Sequence, residues 1–282
     1  MRTFPDCIPC LERHARELAA EHLPEGARGP FIKAVLRSID AFDMNNPPPV
    51  FALLMYDMLR DMAGIYDPYA ENKRLFNRKA LDLYPRLKDI ITGSSDPLDT
   101  GLRLAVAGNI IDFGTDAGHG IPIEETIARA LHSRFAFDDR QLLFSRLQNA
   151  KTVLYIADNA GEIVFDRLFI EAIGPERVIC AVRSAPIIND ATIQDAEEAG
   201  LTDICRVMES GSRASGTLLD LCSPEFRSLF SSADLVISKG QGNFETLEGS
   251  GREIFHLLMV KCPVIAREIG AAMGSFIALM RQ

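Results

Sequence analysis

Three stretches of this 282-residue chain carry side chains that could do chemistry together. Asp158-Asn159-Ala160-Gly161-Glu162 follows a short apolar run over 152–157. An Asp-Asn pair at a strand end can give two oxygen ligands to a hard cation, and Gly161 permits a tight turn or a close ligand approach. Glu162 stands at the start of the next helix, so the same residues also read as a helix N-cap completed by a capping-box glutamate. Arg183 and Asn189-Asp190 follow a second apolar run, over 178–182. There Asp190 reads as a third ligand to the same cation and Arg183 as an anion contact, with N-capping again the competing role. Lys239-Gly240-Gln241-Gly242-Asn243 follows a third run, over 235–238. Its glycines can expose backbone N–H groups in an anion-binding concavity, and Lys239 adds a point charge. The plainer reading is a Gly-rich turn beside a solvated lysine.

Carboxylates with Asn at two strand ends and Lys with glycines at the third suit a phosphate ester. A divalent cation held by Asp158, Asn159 and Asp190 would polarise a phosphoryl oxygen. Lys239 and the 240–242 amides would hold the oxygens on which charge builds. Oxygen donors suit Mg²⁺ or Mn²⁺, and Co²⁺ or Ni²⁺ bind such sites more tightly in general. No Gly-Lys-Ser/Thr opens a helix and no G-x-G-x-x-G follows the first run, which argues against an ATPase and a dehydrogenase. A fourth polar residue, Asn109, reads either as a buried Asn bonded to backbone or as a substrate contact from the face opposite the sheet. The N-terminal Cys7-Ile8-Pro9-Cys10 heads the first helix. With Cys262 as a third sulfur it reads as a second metal site, a redox site or plain structural thiols.

The elements that must position these residues fall into two kinds. Over 1–95, apolar residues at three- and four-residue spacing predict helices at 11–21, 31–42, 50–62 and 73–91, punctuated by Pro24, Pro47-Pro48-Pro49 and Asp67-Pro68. This predicts an α-helical domain over 1–95 and an α/β domain over 96–282. Further helices are predicted at 98–111, 123–134 and 138–148. From residue 150, short continuous apolar runs at 152–157, 178–182, 203–208, 235–238, 255–260 and 264–266 read as buried strands. They alternate with helices at 163–173 and 192–199. That alternation predicts a mostly parallel sheet with helices on both faces, whose ligands bind outside the carboxyl ends of the strands.

Composition narrows the class. Apolar residues are 47% and charged residues 24% of the chain, which excludes a disordered or low-complexity protein. The net charge of −9 argues against nucleic acid as a partner, because that needs clustered Lys and Arg. No stretch approaches the ~18 apolar residues needed to span a bilayer, and the apolar 254–266 segment is broken by His256 and Lys261. No apolar signal core opens the chain, so a cytoplasmic protein with no membrane partner and reduced thiols is expected. Two other functions fit parts of the pattern: a methyltransferase on the same kind of sheet, and a non-catalytic module whose thiols hold a metal.

Five motifs, in order, resemble the damage-control phosphatases, formerly domain of unknown function 89. They are Cys7-x-x-Cys10, Gly108-Asn-Ile-Ile-Asp-Phe-Gly114, Asp158-Asn-Ala-Gly-Glu-Ile-Val-Phe-Asp166, Pro186-Ile-Ile-Asn-Asp-Ala-Thr192 and Lys239-Gly-Gln-Gly-Asn-Phe-Glu245. The thiols Cys7, Cys10 and Cys262 resemble the family's prokaryotic branch. The resemblance implies a helical N-terminal domain on a Rossmann-like α/β domain and a metal-dependent phosphatase acting on small phosphorylated metabolites. Sugar phosphates and damaged phosphometabolites, including forms of phosphopantetheine, are the implied substrates. By motif, Asp158, Asn159 and Asp190 would ligate the metal and Lys239 would meet the phosphate. Asn109, Glu162, Arg183 and the 240–243 segment would surround the substrate.

Overall fold

The computed structural model describes residues 1–108 and 123–282. Among these residues the α-helices are α1 (Ile8–His22), α2 (Glu25–Asp40), α3 (Pro48–Ala63), α4 (Ala70–Thr92), α5 (Pro97–Gly108), α6 (Ile123–His132), α7 (Arg140–Leu147), α8 (Glu162–Ile173), α9 (Ile193–Glu198), α10 (Pro224–Ser232), α11 (Gln241–Leu247) and α12 (Pro263–Ile269). The strands are β1 (Phe135–Asp138), β2 (Val153–Ile156), β3 (Val178–Val182), β4 (Arg206–Glu209), β5 (Leu235–Lys239), β6 (Ile254–Met259) and β7 (Phe276–Arg281).

The strands form one sheet in the order β1-β7-β6-β5-β2-β3-β4. β6, β5, β2, β3 and β4 run parallel. β7 is antiparallel to β6, and β1 lies parallel to β7 at the edge. The fold is therefore α/β with a mostly parallel sheet. Every residue of β2 and β5 is buried, as expected of strands covered on both faces. One face packs Tyr155, Ile237 and Leu257 with Val164, Phe165 and Phe169 of α8 and the buried face of α5. The other packs Leu154, Ile156 and Val236 with Phe226 and Phe230 of α10 and Leu247 of α11.

α1, α2 and α3 enclose a core of their own around Leu18, Phe31, Val35, Phe51 and Met55. The β3–α9 loop inserts Ile187 into it. α4 differs: Phe76, Ala80, Leu87 and Ile91 join the large core under the sheet. The last predicted helix of the N-terminal stretch therefore lies against α8 and reaches the strand ends.

Several elements depart from the sequence expectations. The apolar run 264–266 is not a strand but the middle of α12, which Pro263 opens at its first turn and Gly270 closes in the left-handed region at φ 82. Both are ordinary helix-boundary residues. β1, β7 and α10 were not expected. α10 carries a readable start, with Ser223 accepting from Phe226 N–H and Pro224 behind it.

Candidate active site at the carboxyl end of the sheet

Asp158 and Asn159 lie just past β2, and Asn189 and Asp190 lie in the β3–α9 loop. Backbone bonds stitch the two loops together. Ala160 N–H donates to Asn189 O at 2.9 Å and Ala191 N–H to Asp158 O at 2.8 Å, and Asn159 and Asp190 form an isolated antiparallel bridge. Two segments separated in sequence are thus held in register, each presenting its acid at the bridge. The competing capping role falls away. α8 is capped by Gly161 at φ 75 with no side-chain bond, and α9 is capped by Thr192 with Asp195 completing a capping box.

Ile188 is held at φ 46, a left-handed conformation that a β-branched residue rarely adopts. Such conformations cost about 1–3 kcal/mol and cluster at functional sites. Ile187, buried in the α1–α3 core, and Ile188, packed against it, anchor the loop. From the other side Asn77 of α4 accepts from Gly161 N–H at 2.7 Å. Its amide nitrogen donates to Asp195 at 3.1 Å and Glu198 at 2.9 Å. The helical segment therefore clamps both loops.

The loops open on a cavity of about 470 Å³. Asp158, Asn159, Asn189 and Asp190 form one side, and Gln241, Gly242 and Lys261 line it as well. Ser215 contributes a hydroxyl, and Phe76, Ile188 and Met259 supply apolar surface. Asp190 is ion-paired: Arg183 Nε donates to Oδ2 at 2.8 Å and Ser215 Oγ to Oδ1 at 3.0 Å. Burial still raises its pKa above the usual carboxylate range against the pull of Arg183. Burial also pushes Asp158 up, to about 8, with the Glu162 and Asp190 carboxylates adding to the rise. Asn159 Nδ2 donates to Asp158 Oδ2 at 2.8 Å and to Glu162 Oε2 at 3.0 Å.

These carboxylates repel one another in a buried place, and a hard cation is the chemistry that relieves the repulsion. Asp158, Asp190 and the amide oxygen of Asn159 are the donors that could hold it. Among the described residues no three His, Cys, Asp or Glu side chains are grouped as a full metal cage. Mg²⁺-like ions are commonly bound through one or two carboxylates and keep several waters, so this donor set fits such an ion.

The structure does not bring Lys239 to the cavity. As the last residue of β5 it shares the sheet face of Leu235 and Ile237, which packs on α5 and α8. Its ammonium is fully buried and donates to Ala105 O at 2.9 Å, Glu162 Oε1 at 2.7 Å and Asp166 Oδ1 at 2.5 Å. Tyr155 completes the cluster by donating to Asp166 Oδ1 at 2.7 Å. Lys239 is a counter-ion that orients Glu162, and through Glu162 the amide of Asn159. Arg183 lies behind the wall too, its guanidinium meeting Asp190, Thr217 and Asn243. Buried Asn243 donates to Ala157 O and Lys239 O, tying the ends of β2 and β5. Gly240 N–H is taken by Leu257 O, so that amide is not offered to a ligand. Gln241 and Gly242 do line the cavity. Asn109 lies outside the described residues. Cys262 accepts from Gln241 Nε2 at 3.5 Å, beside the cavity, while Cys10 is exposed.

Among the residues at the candidate site that were not singled out in the sequence are Lys261 and Asn77. Lys261 lines the cavity and lies within electrostatic reach of Asp158. It stands two residues past β6, so the strand-end rule applied to that strand finds it. Asn77 carries no such signal, because its role depends on how α4 docks.

The chain matches the family model described as damage-control phosphatase ARMT1-like domain over residues 3–277. It is 33% identical to a damage-control phosphatase of Pyrococcus horikoshii, covering 99% of this chain and 98% of that protein. It is 36% identical to a damage-control phosphatase of Archaeoglobus fulgidus over 77% of each chain. The crystal structure of a DUF89 family protein from Pyrococcus horikoshii superposes with a TM-score of 0.88 at 31% identity, covering 100% of both chains. Sequence and fold agree along almost the whole length: this chain belongs to the family of damage-control phosphatases with the ARMT1-like domain.

Proposed function

We propose that this chain is a divalent-metal-dependent phosphoric monoester hydrolase acting on small phosphorylated metabolites, sugar phosphates or damaged phosphometabolites such as phosphopantetheine forms. The observation that carries the reading is a set of buried carboxylates on one cavity with a lysine, Lys261, at the same opening. Family membership and the phosphatase names of two relatives support it. A volume near 470 Å³ suits a small metabolite rather than a polymer.

Asp158, Asp190 and Asn159 would hold the ion, which supplies Lewis-acid polarisation of the phosphoryl group when bound. Arg183 and Ser215 fix the orientation of the Asp190 carboxylate. Lys239 and Asn159 both donate to Glu162, which fixes its carboxylate beside Asp158. Lys261, on the lining of the cavity, would take phosphoryl oxygens as charge builds on them. Phe76, Ile188 and Met259, the apolar part of the lining, would pack on the body of the substrate.

The test is phosphate release by metal-stripped protein from a panel of sugar phosphates, nucleotides and phosphopantetheine, with Mg²⁺, Mn²⁺, Co²⁺ or Ni²⁺ restored singly. Metal-dependent release lost in folded Asp158→Ala and weakened in Lys261→Ala is expected. Full activity in folded Asp158→Ala overturns the site.

A further inference from the structure

The thiols at the start of α1 stand outside the phosphatase chemistry, yet they back onto its cavity. Cys7 occupies the N-cap of α1, and Cys10 lies three residues on, in its first turn. Residues three apart on a helix are face neighbours, and a CxxC at a helix N-terminus is the arrangement of disulfide oxidoreductases. Cys10 is exposed, and Arg13 Nη2 points at its sulfur at 3.5 Å. The thiolate is the form of a cysteine that attacks a disulfide. Cys7 is half-buried. Burial pushes its thiol up, and the facing Glu245 carboxylate, Cys262 and Cys10 push in the same direction. The exposed thiol is therefore the one a reagent reaches first, and the covered one waits behind it.

Behind Cys7 the contacts run to the cavity wall. Gln241 Nε2 donates to Glu245 Oε1 at 3.0 Å and to Cys262 Sγ at 3.5 Å. Gln241 itself lines the cavity. The N-terminal ammonium donates to Glu245 O at 2.6 Å, so the segment that leads to Cys7 is pinned to α11.

We propose that Cys7 and Cys10 form a thiol–disulfide exchange site that reacts with small-molecule disulfides and carries the thiol redox state to the Gln241 wall of the cavity. The Cys10 thiolate attacks one sulfur of the disulfide and expels the first thiolate. The Cys7 thiolate then attacks Cys10 Sγ in the mixed disulfide and expels the second. Two electrons pass from the protein pair to the reagent, and the two protons lost by the cysteines end on the two released thiols. The effect on the cavity rests on the phosphatase reading; the exchange itself does not.

The experiment titrates the full-length protein with glutathione disulfide against glutathione. Thiols are then blocked by alkylation, tryptic peptides are weighed, and KM is measured on the same samples. Cys7 and Cys10 lie between Arg2 and Arg13, in one peptide, whereas Cys262 lies between Lys261 and Arg267. The expected result is loss of two titratable thiols and an N-terminal peptide lighter by two hydrogens. Dithiothreitol should reverse both, and Cys262→Ser should retain the bridge. Cys7→Ser should stop at a glutathione adduct on Cys10, and KM should shift only in the bridged form. A stable adduct on wild-type Cys10, or a cross-link to the Cys262 peptide, overturns the exchange pair. A bridge that leaves KM unchanged overturns the link to the cavity, and a bridge in a protein without phosphatase activity separates that failure from the exchange chemistry.

Discussion

Replacing Gly240 by alanine moves one carboxylate by a calculable amount. Gly240 stands at φ 76 between β5 and α11, and an added Cβ would lie 1.8 Å from Asp158 Oδ2 and 2.2 Å from its carboxyl carbon. Real Cβ contacts essentially stop at 3.0 Å, so Oδ2 must retreat by at least about 1.2 Å. A misplacement of about 1 Å costs roughly 10²-fold in rate, about 2.7 kcal/mol of transition-state stabilisation. At φ 76 and ψ 169 Gly240 occupies a region that is essentially glycine-only, which adds about 1–3 kcal/mol of folding cost for a residue with a Cβ. Gly64→Ala is the control for backbone strain without a clash: Gly64 lies in the left-handed region at φ 68 and ψ 18, and its Cβ would meet nothing within 4 Å. The assay is kcat/KM for metal-dependent phosphate release in both variants, with thermal melts. Gly64→Ala should lose stability and keep its activity; Gly240→Ala should lose about 10²-fold in kcat/KM while still folded. A folded Gly240→Ala enzyme with wild-type kcat/KM refutes the placement of Asp158.

The same geometry fixes four further outcomes. Lys239→Met leaves Glu162 and Asp166 buried without their counter-ion. It should cost about 3–5 kcal/mol in urea unfolding, whereas exposed Lys261→Ala should stay within about 0.5 kcal/mol and lower kcat/KM about 10–100-fold. Asp158, at about 8 without an ion, must give up its proton to bind one. Cation affinity by calorimetry should therefore fall about tenfold per pH unit below about 8, with proton release on binding. His256 is fully buried and its ring nitrogens have no hydrogen-bond partner among the described residues; burial, with Arg281 nearby, lowers its pKa from 6.5 to about 3. The unfolded chain takes up a proton below about pH 6.5 that the folded protein refuses. Stability should thus decline by up to about 1.4 kcal/mol per pH unit as pH falls from 6.5 toward 3, and His256→Leu should remove that slope from acid-unfolding curves.

The parallel strands were legible because a strand buried on both faces must be a continuous apolar run. β3 was bounded as predicted, at Val178–Val182, and β2 and β5 within a residue or two. β1 is four residues long and β7 closes the chain against β6, so neither stood out as an apolar run followed by a helix. The 264–266 triplet failed for the converse reason: three apolar residues fit a strand or one turn of α12, and Pro263 with Gly270 decided it. The acids of the β2–α8 and β3–α9 loops could be singled out as candidates because the carboxyl ends of parallel strands collect ligands. What could not be read was which way a strand-end side chain points. Lys239 and Lys261 both follow apolar runs, and only the packed sheet turns Lys239 into the α5–α8 core and leaves Lys261 at the cavity. Asn77 shows the same limit, since its bond to Gly161 N–H depends on a contact 84 residues away in sequence.

The most direct test is inorganic phosphate release from one reactive sugar phosphate by metal-stripped wild-type protein, before and after Mn²⁺ is added, beside Asp158→Ala with a matching melting curve. Release that appears only with Mn²⁺ and is absent from the folded variant is the predicted result. Release that needs no ion, or that survives Asp158→Ala, would contradict a metal-dependent phosphatase built on the bridged loops of β2 and β3.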